Sequence, residues 1–234
     1  MGDQLIITAS EMAAGLTETE EIEVAEVLSP RSFRITEPLQ FKHRVQWFQQ
    51  EGFAPVDMRV EAGLLSRNVV IQGDEGSTQQ LYGVHVAAMH GATLRLSGVE
   101  IRRCGQAFVL GRYCSHFHMA GRLEDSYIVD NSIHHSFQRA VVVHATHYAL
   151  VKNNVAYNVR GHTYFVEDGN EHGNVFEATL AAVTHCSEGP LAGDSKPAGF
   201  WTSSPANTWR HNVAVGSCAF GEWVCGCVGV WVCG

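Results

Sequence analysis

Histidines are concentrated in the middle of the chain. Nine of the thirteen histidines lie between His116 and His185. Histidine is the side chain that changes charge near neutral pH, and its neutral ring is a common metal ligand. Their density predicts acid–base or metal chemistry in this region.

The segment His-Phe-His gives the most specific local pattern. In a β-strand, His116 and His118 point to one face, whereas Phe117 points to the other. Phe117 is therefore predicted to enter the core and to leave both imidazoles outside. We expect His144 to be the equivalent of His118 one repeat later.

Four segments that share a spacing predict the elements that position these histidines. In each, a large apolar residue is followed four positions later by an aliphatic one. The pairs are Val129 with Ile133, Val151 with Val155, Phe176 with Leu180, and Trp209 with Val213. The aliphatic members are 22, 25 and 33 residues apart. Repeats of this length, with short β-branched runs broken by asparagine and glycine, are typical of the coils of a parallel β-helix. A leucine-rich or helical repeat fits worse, because no segment keeps a 3.6-residue apolar period for three turns.

Stacked coils would bring distant side chains onto one wall. The alignment of these segments places His144 over Val166, with Glu167 and Asp168 one and two residues beyond that level. The predicted wall consists of Arg112, His116, His118, Arg139, His144, His162, Glu167 and Asp168.

Three chemistries are compatible with this wall. Glycoside hydrolysis needs two carboxyl groups; Glu167 and Asp168 would point to opposite faces of a strand, so Asp168 would need a partner from another coil. A polysaccharide lyase needs a base and a cation, which histidine and arginine supply. Metal binding is the third hypothesis. Imidazole ligands would favour a transition metal, whereas a set of mostly oxygen ligands would favour calcium. A purely structural wall is the alternative to all three, and Asp168 before Gly169 is also a common turn signal.

The N-terminal third has short alternating strands separated by Gly, Pro and Asp turns. The predicted strands are residues 5–8, 22–28, 32–36, 58–61 and 68–73. We predict a β-rich cap over residues 1–75, β-helix coils over 76–223 and an atypical Cys/Val/Gly tail over 224–234, which reads as a truncated or misread end.

The seven cysteines include four scattered ones: Cys104, Cys114, Cys186 and Cys218. None has the paired spacing of a zinc site. The four are predicted to be ordinary buried thiols.

Composition limits the partners. The chain has 24 acidic and 16 basic residues and a net charge of -8, which disfavours a nucleic-acid surface. No stretch approaches the roughly 20 apolar residues that cross a bilayer, and the N-terminus does not read as a signal peptide. Membrane association is therefore expected only through segments absent from this chain.

Four motifs resemble a known family. They are AGLLSRNVVIQGD (62–74), GRYCSHFHMAG (111–121), SIHHSFQRA (132–140) and GHTYFVEDG (161–169). They are similar to the eight-glycine domain and following β-helix of the family of cell-migration-inducing hyaluronan-binding protein, transmembrane protein 2 and fibrocystin-like proteins. The resemblance implies an all-β fold, namely a right-handed parallel β-helix solenoid that follows the end of an eight-glycine domain.

The resemblance also implies an extracellular or cell-surface location and an acidic polysaccharide such as hyaluronan as partner. Two family members are associated with hyaluronan depolymerisation, whereas the fibrocystin-like branch is receptor-like, so a glycosidase or lyase and a non-catalytic adhesion scaffold both stay open. The predicted catalytic residues are His116, His118, Arg139, His144 and Asp168. The predicted substrate-binding residues are Arg112, Tyr113, His162 and Glu167. The metal is left open, with calcium expected ahead of zinc.

Overall fold

The computed structural model of the chain describes residues 2–10, 14–45, 47–187 and 195–224. For residues 221–224 it describes the backbone alone. The predicted tail lies outside the described residues from position 225 onward. The described part is mostly β, as the sequence predicts, and its one helix is α1 at Ser77–Gln80.

The N-terminal region forms a four-stranded antiparallel sheet in the order β3-β2-β1-β6. Its strands are β1 (Gln4–Ile7), β2 (Glu20–Ser29), β3 (Ser32–Ile35) and β6 (Ala62–Leu64), and a separate hairpin pairs β4 (Trp47–Phe48) with β5 (Val56–Asp57). Three of the predicted strands are confirmed here. The strand predicted at residues 58–61 is wrong, because the pairing with β1 begins at Ala62, opposite Ile7.

Three parallel sheets contain all the later strands. Sheet 1 holds β7 (Val69–Gln72), β10 (Val99–Arg102), β13 (Ser132–His134), β16 (Val155–Arg160), β19 (Leu180–His185) and β22 (Val213–Ser217). Sheet 2 holds β8 (Val86–Ala88), β11 (Ser115–Arg122), β14 (Val141–His147), β17 (Tyr164–Val166), β20 (Ala198–Thr202) and β23 (Phe220–Val224). Sheet 3 holds β9 (Arg95–Ser97), β12 (Tyr127–Val129), β15 (Leu150–Lys152), β18 (Val175–Glu177) and β21 (Thr208–Arg210). Successive strands enter sheets 1, 2 and 3 in turn, so one coil is three strands and each strand pairs with the equivalent strand of the next coil. The predicted strand at 68–73 is β7, whereas the division at 75/76 stays a prediction.

The core lies between the three sheets. Phe117 has no exposed surface and pairs with Val143, which pairs with Val166. The prediction that Phe117 enters the core is therefore confirmed. On sheet 3, Phe176 stacks on Trp209 with ring centroids 4.1 Å apart.

The register of the first repeat differs by one residue from the predicted alignment. Val151 pairs with Ile128, and not with Val129. The reason is a buried stack of asparagines: the Asn154 Oδ1 atom accepts hydrogen bonds from the Asn131 backbone N–H at 2.9 Å and from its side-chain amide at 3.1 Å. This stack aligns the coils by their polar turn, whereas the apolar residues alone fit either register.

The corrected register moves the predicted wall by one position. Because Val143 pairs with Val166, His144 lies level with Glu167 and not with Val166. The expected equivalence of His118 and His144 is confirmed, since the two are directly paired.

The four scattered cysteines form disulfides, so the prediction of buried thiols was wrong. Cys104 pairs with Cys114 and Cys186 with Cys218, with Cα atoms 5.0 and 5.7 Å apart. Cys186 and Cys218 follow neighbouring strands of sheet 1, and this proximity is invisible without the coil register. The two disulfides fit an extracellular domain. Among the described residues, no helix is both long and apolar enough to span a bilayer.

Candidate active site on the outer face of sheet 2

The outward-facing side chains of sheet 2 form a continuous column. His116 pairs with Val142, Val142 with Phe165, and Phe165 with Trp201. Tyr113 packs over Val142 and Phe165 as a small apolar cluster outside the main core. From His116 the column therefore passes through Val142 and Phe165, which are buried, to Trp201, which is partly exposed.

Three histidines meet at the start of this column. One ring nitrogen of each of His116, His118 and His144 lies within 4.8 Å of the others, and we call these residues the three-histidine cluster. The Nδ1 atoms of His118 and His144 are 3.1 Å apart. The Nε2 atom of His144 lies 3.0 Å from the Asp168 Oδ2 atom. The structure thus brings together four of the five predicted catalytic residues.

His116 is held in one orientation by the backbone. Its Nδ1 atom lies 3.1 Å from the Gly111 carbonyl oxygen, so Nδ1 carries the proton and donates it. Its Nε2 atom is then a lone-pair acceptor, and it is buried without a hydrogen-bond partner. Burial lowers the pKa of His116 to about 3, so the ring is neutral at physiological pH.

Asp168 is positioned by a residue that the sequence reasoning missed. The fully buried Glu171 accepts hydrogen bonds from the backbone N–H groups of Asp168 at 2.9 Å and Gly169 at 2.8 Å. It also accepts one from the Ala145 backbone at 2.9 Å, beside His144. The predicted turn at Asp168–Gly169 is present, and Glu171 ties it to the strand that carries His144. We see no signal in the sequence for this role, because it depends on the neighbouring coil.

Glu167 lies beside the cluster in a half-buried position. Burial raises the pKa of its carboxyl group, a shift that the nearby His144 and Arg139 partly offset. Its Oε2 atom is buried without a hydrogen-bond partner. A carboxyl group of this kind holds its proton to a higher pH than an exposed one.

Arg139 and Tyr113 are buried against the middle of the column, where they help to cover Val142 and Phe165. Arg139 is 5% exposed, and its guanidinium carbon lies 4.0 Å from the centroid of the Phe165 ring. Its Nη1 atom donates to the Tyr113 hydroxyl at 3.4 Å. Tyr113 has no exposed surface. Both positions suit support of the site, whereas the predicted roles were catalysis and direct substrate contact.

The two remaining predicted residues lie at the edges of the site. The Nη1 atom of Arg112 is 2.6 Å from the Nε2 atom of His85, a second residue that the sequence reasoning missed because its coil does not share the repeat pattern. His162 is 1% exposed; its Nδ1 atom accepts a hydrogen bond from the Ala198 backbone, and its ring packs against Trp201. Arg112 is available to a ligand, whereas His162 belongs to the packing of the wall.

The geometry of the cluster fits a transition metal. Zinc–nitrogen bonds of about 2.0–2.1 Å separate two ligand nitrogens by about 2.9–3.4 Å, and the 3.1 Å between His118 and His144 lies in that range. His116 adds a buried lone pair oriented by a carbonyl, which is the usual second-shell arrangement of a histidine ligand. Calcium takes oxygen ligands, so this donor set reverses the expected preference for calcium over zinc.

Comparison with known proteins agrees with this architecture. The family model "CEMIP beta-helix" matches residues 81–226, and the chain belongs to that family, as the resemblance in its motifs predicts. It is similar to fibrocystin-L of Mus musculus, with 31% identity over 95% of this chain, and to fibrocystin-L of Homo sapiens, with 30% identity over 95%. It is also similar to a G8 domain-containing protein of Dictyostelium discoideum, with 30% identity over 92% of this chain. The chain spans 6% of the length of each fibrocystin-L and 18% of the G8 protein.

Proposed function

We propose that this domain binds an acidic polysaccharide such as hyaluronan along the outer face of sheet 2 and cleaves it at the three-histidine cluster. The observation that carries the proposal is the buried, unpartnered Nε2 atom of His116 beside the paired rings of His118 and His144. An unpaired buried acceptor costs stability unless a ligand uses it. A bound metal ion would be such a ligand.

The three imidazoles would hold a transition metal, and such an ion would supply Lewis-acid chemistry and lower the pKa of water. Asp168 would hold His144 in the orientation that keeps its other nitrogen on the cluster. The proposed ligands are therefore all neutral, and the charge of the ion would attract the carboxylates of an acidic glycan. Arg112 at the edge adds a second positive charge.

The two ends of the column, the cluster and Trp201, suit an extended chain of sugars that would cross the residues covering Val142 and Phe165. From β11 to β20 it crosses three strand spacings, or about 14 Å. Trp201 ends this stretch as a partly exposed ring, and aromatic rings offer an apolar face on which a sugar can stack. A polymer lying across the coils would meet the cluster and Trp201 together.

Glu167 is the proposed general acid. Strand alternation would separate Glu167 from Asp168, but both residues follow the end of β17 at Val166, and both lie beside His144. In glycoside hydrolysis one carboxylic acid donates its proton to the leaving oxygen while water adds to the sugar carbon. The raised pKa of Glu167 favours the protonated form that this step needs. The proton released by the attacking water would pass to Asp168, so the glycosidic bond breaks with no net change in the protonation of the site.

We also infer that the three parallel sheets wind as a right-handed solenoid in an extracellular protein. Parallel strands joined by crossovers are right-handed in nearly all proteins, and the disulfides favour an oxidising compartment.

The test is depolymerisation of hyaluronan by the purified, disulfide-intact protein, followed by the size distribution of the polymer. We expect shorter chains, loss of activity with a chelator, and recovery with zinc or another transition metal but not with calcium. His118→Ala should abolish cleavage and metal binding, whereas the exposed His211→Ala should keep both. An unchanged size distribution with every metal, or full activity of His118→Ala, would overturn the proposal.

A second candidate function is a non-catalytic adhesion scaffold. The burial of Arg139, Tyr113 and His162 favours it, because three predicted site residues serve packing. In that case hyaluronan would bind without being shortened, and His118→Ala would leave binding unchanged.

A further inference from the structure

A second group of basic side chains lies where β2 meets sheet 1, away from the three-histidine cluster on sheet 2. A pocket of about 490 Å³ opens there. Its polar lining includes Glu21, Arg102, Arg103, His135, Asn158 and Arg160. This volume is in the range of small-molecule sites.

Two of the arginines are held close together. Arg102 Nε and Arg103 Nη2 both donate to the Gln72 Oε1 atom, each at 2.7 Å. Two like charges that share one neutral acceptor repel each other. Arg102 also pairs with the buried Glu100 at 3.1 Å, but within the described ranges no carboxylate pairs with Arg103.

A third cation reaches the pocket from β16. Arg160 ends that strand, and its guanidinium makes no hydrogen bond or ion pair with the described residues. The side-chain amide of Asn158, two residues earlier, is equally uncommitted in the described part of the chain. Both groups are therefore available to a ligand without the loss of an existing contact.

The charge of the lining contrasts with that of the whole chain. The lining contains three arginines and one carboxylate, that of Glu21. The Glu21 Oε2 atom is 3.5 Å from the His135 Nε2 atom. The protein as a whole carries a net charge of -8, so general attraction of anions does not account for a local excess of positive charge. The same excess repels metal cations.

We propose that this pocket binds a small oxyanion, that is, a carboxylate, sulfate or phosphate group borne by a hydroxyl-containing molecule. The guanidinium fork matches such groups with two parallel hydrogen bonds. Arg103 and Arg160 bind the anionic group, and the Asn158 amide is placed to bond a neighbouring hydroxyl. Glu21 opposes binding and so limits the affinity for simple ions.

The experiment is calorimetric titration of the purified chain at constant ionic strength with glucuronate, sulfate and phosphate, and with N-acetylglucosamine as the uncharged control. We expect saturable binding of at least one oxyanion and none of the neutral sugar. Glucuronate alone would identify a sugar acid as the ligand, whereas sulfate or phosphate alone would identify that group. The absence of saturable binding of all three at concentrations up to about 10 mM, that is, a Kd weaker than about 10 mM for each, would overturn the proposal.

Charge variants locate the site. Arg160→Gln and Arg103→Gln should each weaken binding about tenfold or more, because a hydrogen bond to a charged group contributes about 1.5–3 kcal/mol. Glu21→Gln should strengthen it, since one opposing charge is removed. Arg95→Gln on sheet 3 is the matched control and should bind as wild type. Equal affinity of Arg160→Gln, Arg103→Gln and wild type would refute the assignment, whatever the outcome for His118→Ala, which should leave this binding unchanged.

Discussion

Replacement of Glu171 by glutamine tests the link between the fold and the candidate site. The Glu171 carboxylate is fully buried and accepts three backbone N–H groups, from Ala145, Asp168 and Gly169. Glutamine has nearly the same shape but only one acceptor oxygen. With that oxygen toward Ala145 and Asp168, its NH₂ group faces the N–H of Gly169, and two donors oppose each other.

The expected cost follows from these three contacts. The lost bond to Gly169 removes a charge-assisted interaction and leaves its part-buried N–H facing another donor, at a cost of about 2 kcal/mol. The two remaining bonds are to a neutral acceptor and weaken by roughly half, about 1 kcal/mol each. Glu171→Gln should therefore lower the free energy of unfolding by about 3–5 kcal/mol.

Urea unfolding measures the free energy of unfolding, and metal titration measures the affinity of the three-histidine cluster for the metal. Because the turn that carries Asp168 loosens, His144 loses its carboxylate partner, and loss of such a partner typically costs 10–100-fold in metal affinity. The two measurements separate the two roles of Glu171. The stability reports its hydrogen bonds to the backbone, and the metal affinity reports the position of Asp168.

Glu124→Gln is the matched control, since the Glu124 side chain is exposed and only pairs with Arg122. It should change stability by less than about 0.5 kcal/mol. If Glu171→Gln unfolds within 1 kcal/mol of wild type and binds metal equally well, then Glu171 does not organise the turn and our reasoning about the site is wrong.

Three further predictions concern the coils, the pH dependence and the disulfide. Asn154→Ala should cost about 2–4 kcal/mol by urea unfolding, because it leaves a buried N–H of Asn131 without its acceptor. His134 is neutral in the fold, where burial lowers its pKa from 6.5 to about 3; the unfolded chain therefore takes up a proton that the folded one does not, and stability falls as the pH drops from 6.5 toward 3. His134→Gln should flatten this slope by up to about 1.4 kcal/mol per pH unit in urea unfolding measured at each pH. Replacing Cys104 and Cys114 together by serine should cost about 2–3 kcal/mol for a loop of this length and weaken metal binding, because the loop carries the carbonyl that orients His116.

Two of these predictions have a control variant, and the third has an outcome that would contradict it. Asn170→Ala alters an exposed asparagine and should leave stability within about 0.5 kcal/mol of wild type; an equal loss in both variants would argue against the asparagine stack. His211→Gln should leave the pH slope unchanged, and an unchanged slope in His134→Gln would mean that this ring is charged in the fold. Full metal affinity after removal of the disulfide would show that the loop holds its carbonyl without it.

Much of the candidate site is visible in the sequence because it follows from strand alternation. His116 and His118 flank Phe117, so one buried ring fixes the side on which the two imidazoles lie. The repeat also predicts His144 as the equivalent of His118. The predicted alignment nevertheless misses by one residue, because apolar spacing cannot distinguish Ile128 from Val129.

The sequence by itself determined the coil repeat, the inward place of Phe117 and the equivalence of His118 and His144, since these follow from strand alternation and from a spacing that recurs along the chain. Tertiary structure alone decided the register of the coils, the pairing of the cysteines and the hydrogen bonds by which Glu171 holds the backbone beside Asp168 and His144. It also decided that Arg139 is buried while Arg112 is exposed. These features depend on contacts between residues 23 to 32 positions apart or on the path of a loop. The variable coil length conceals such contacts until the backbones pair.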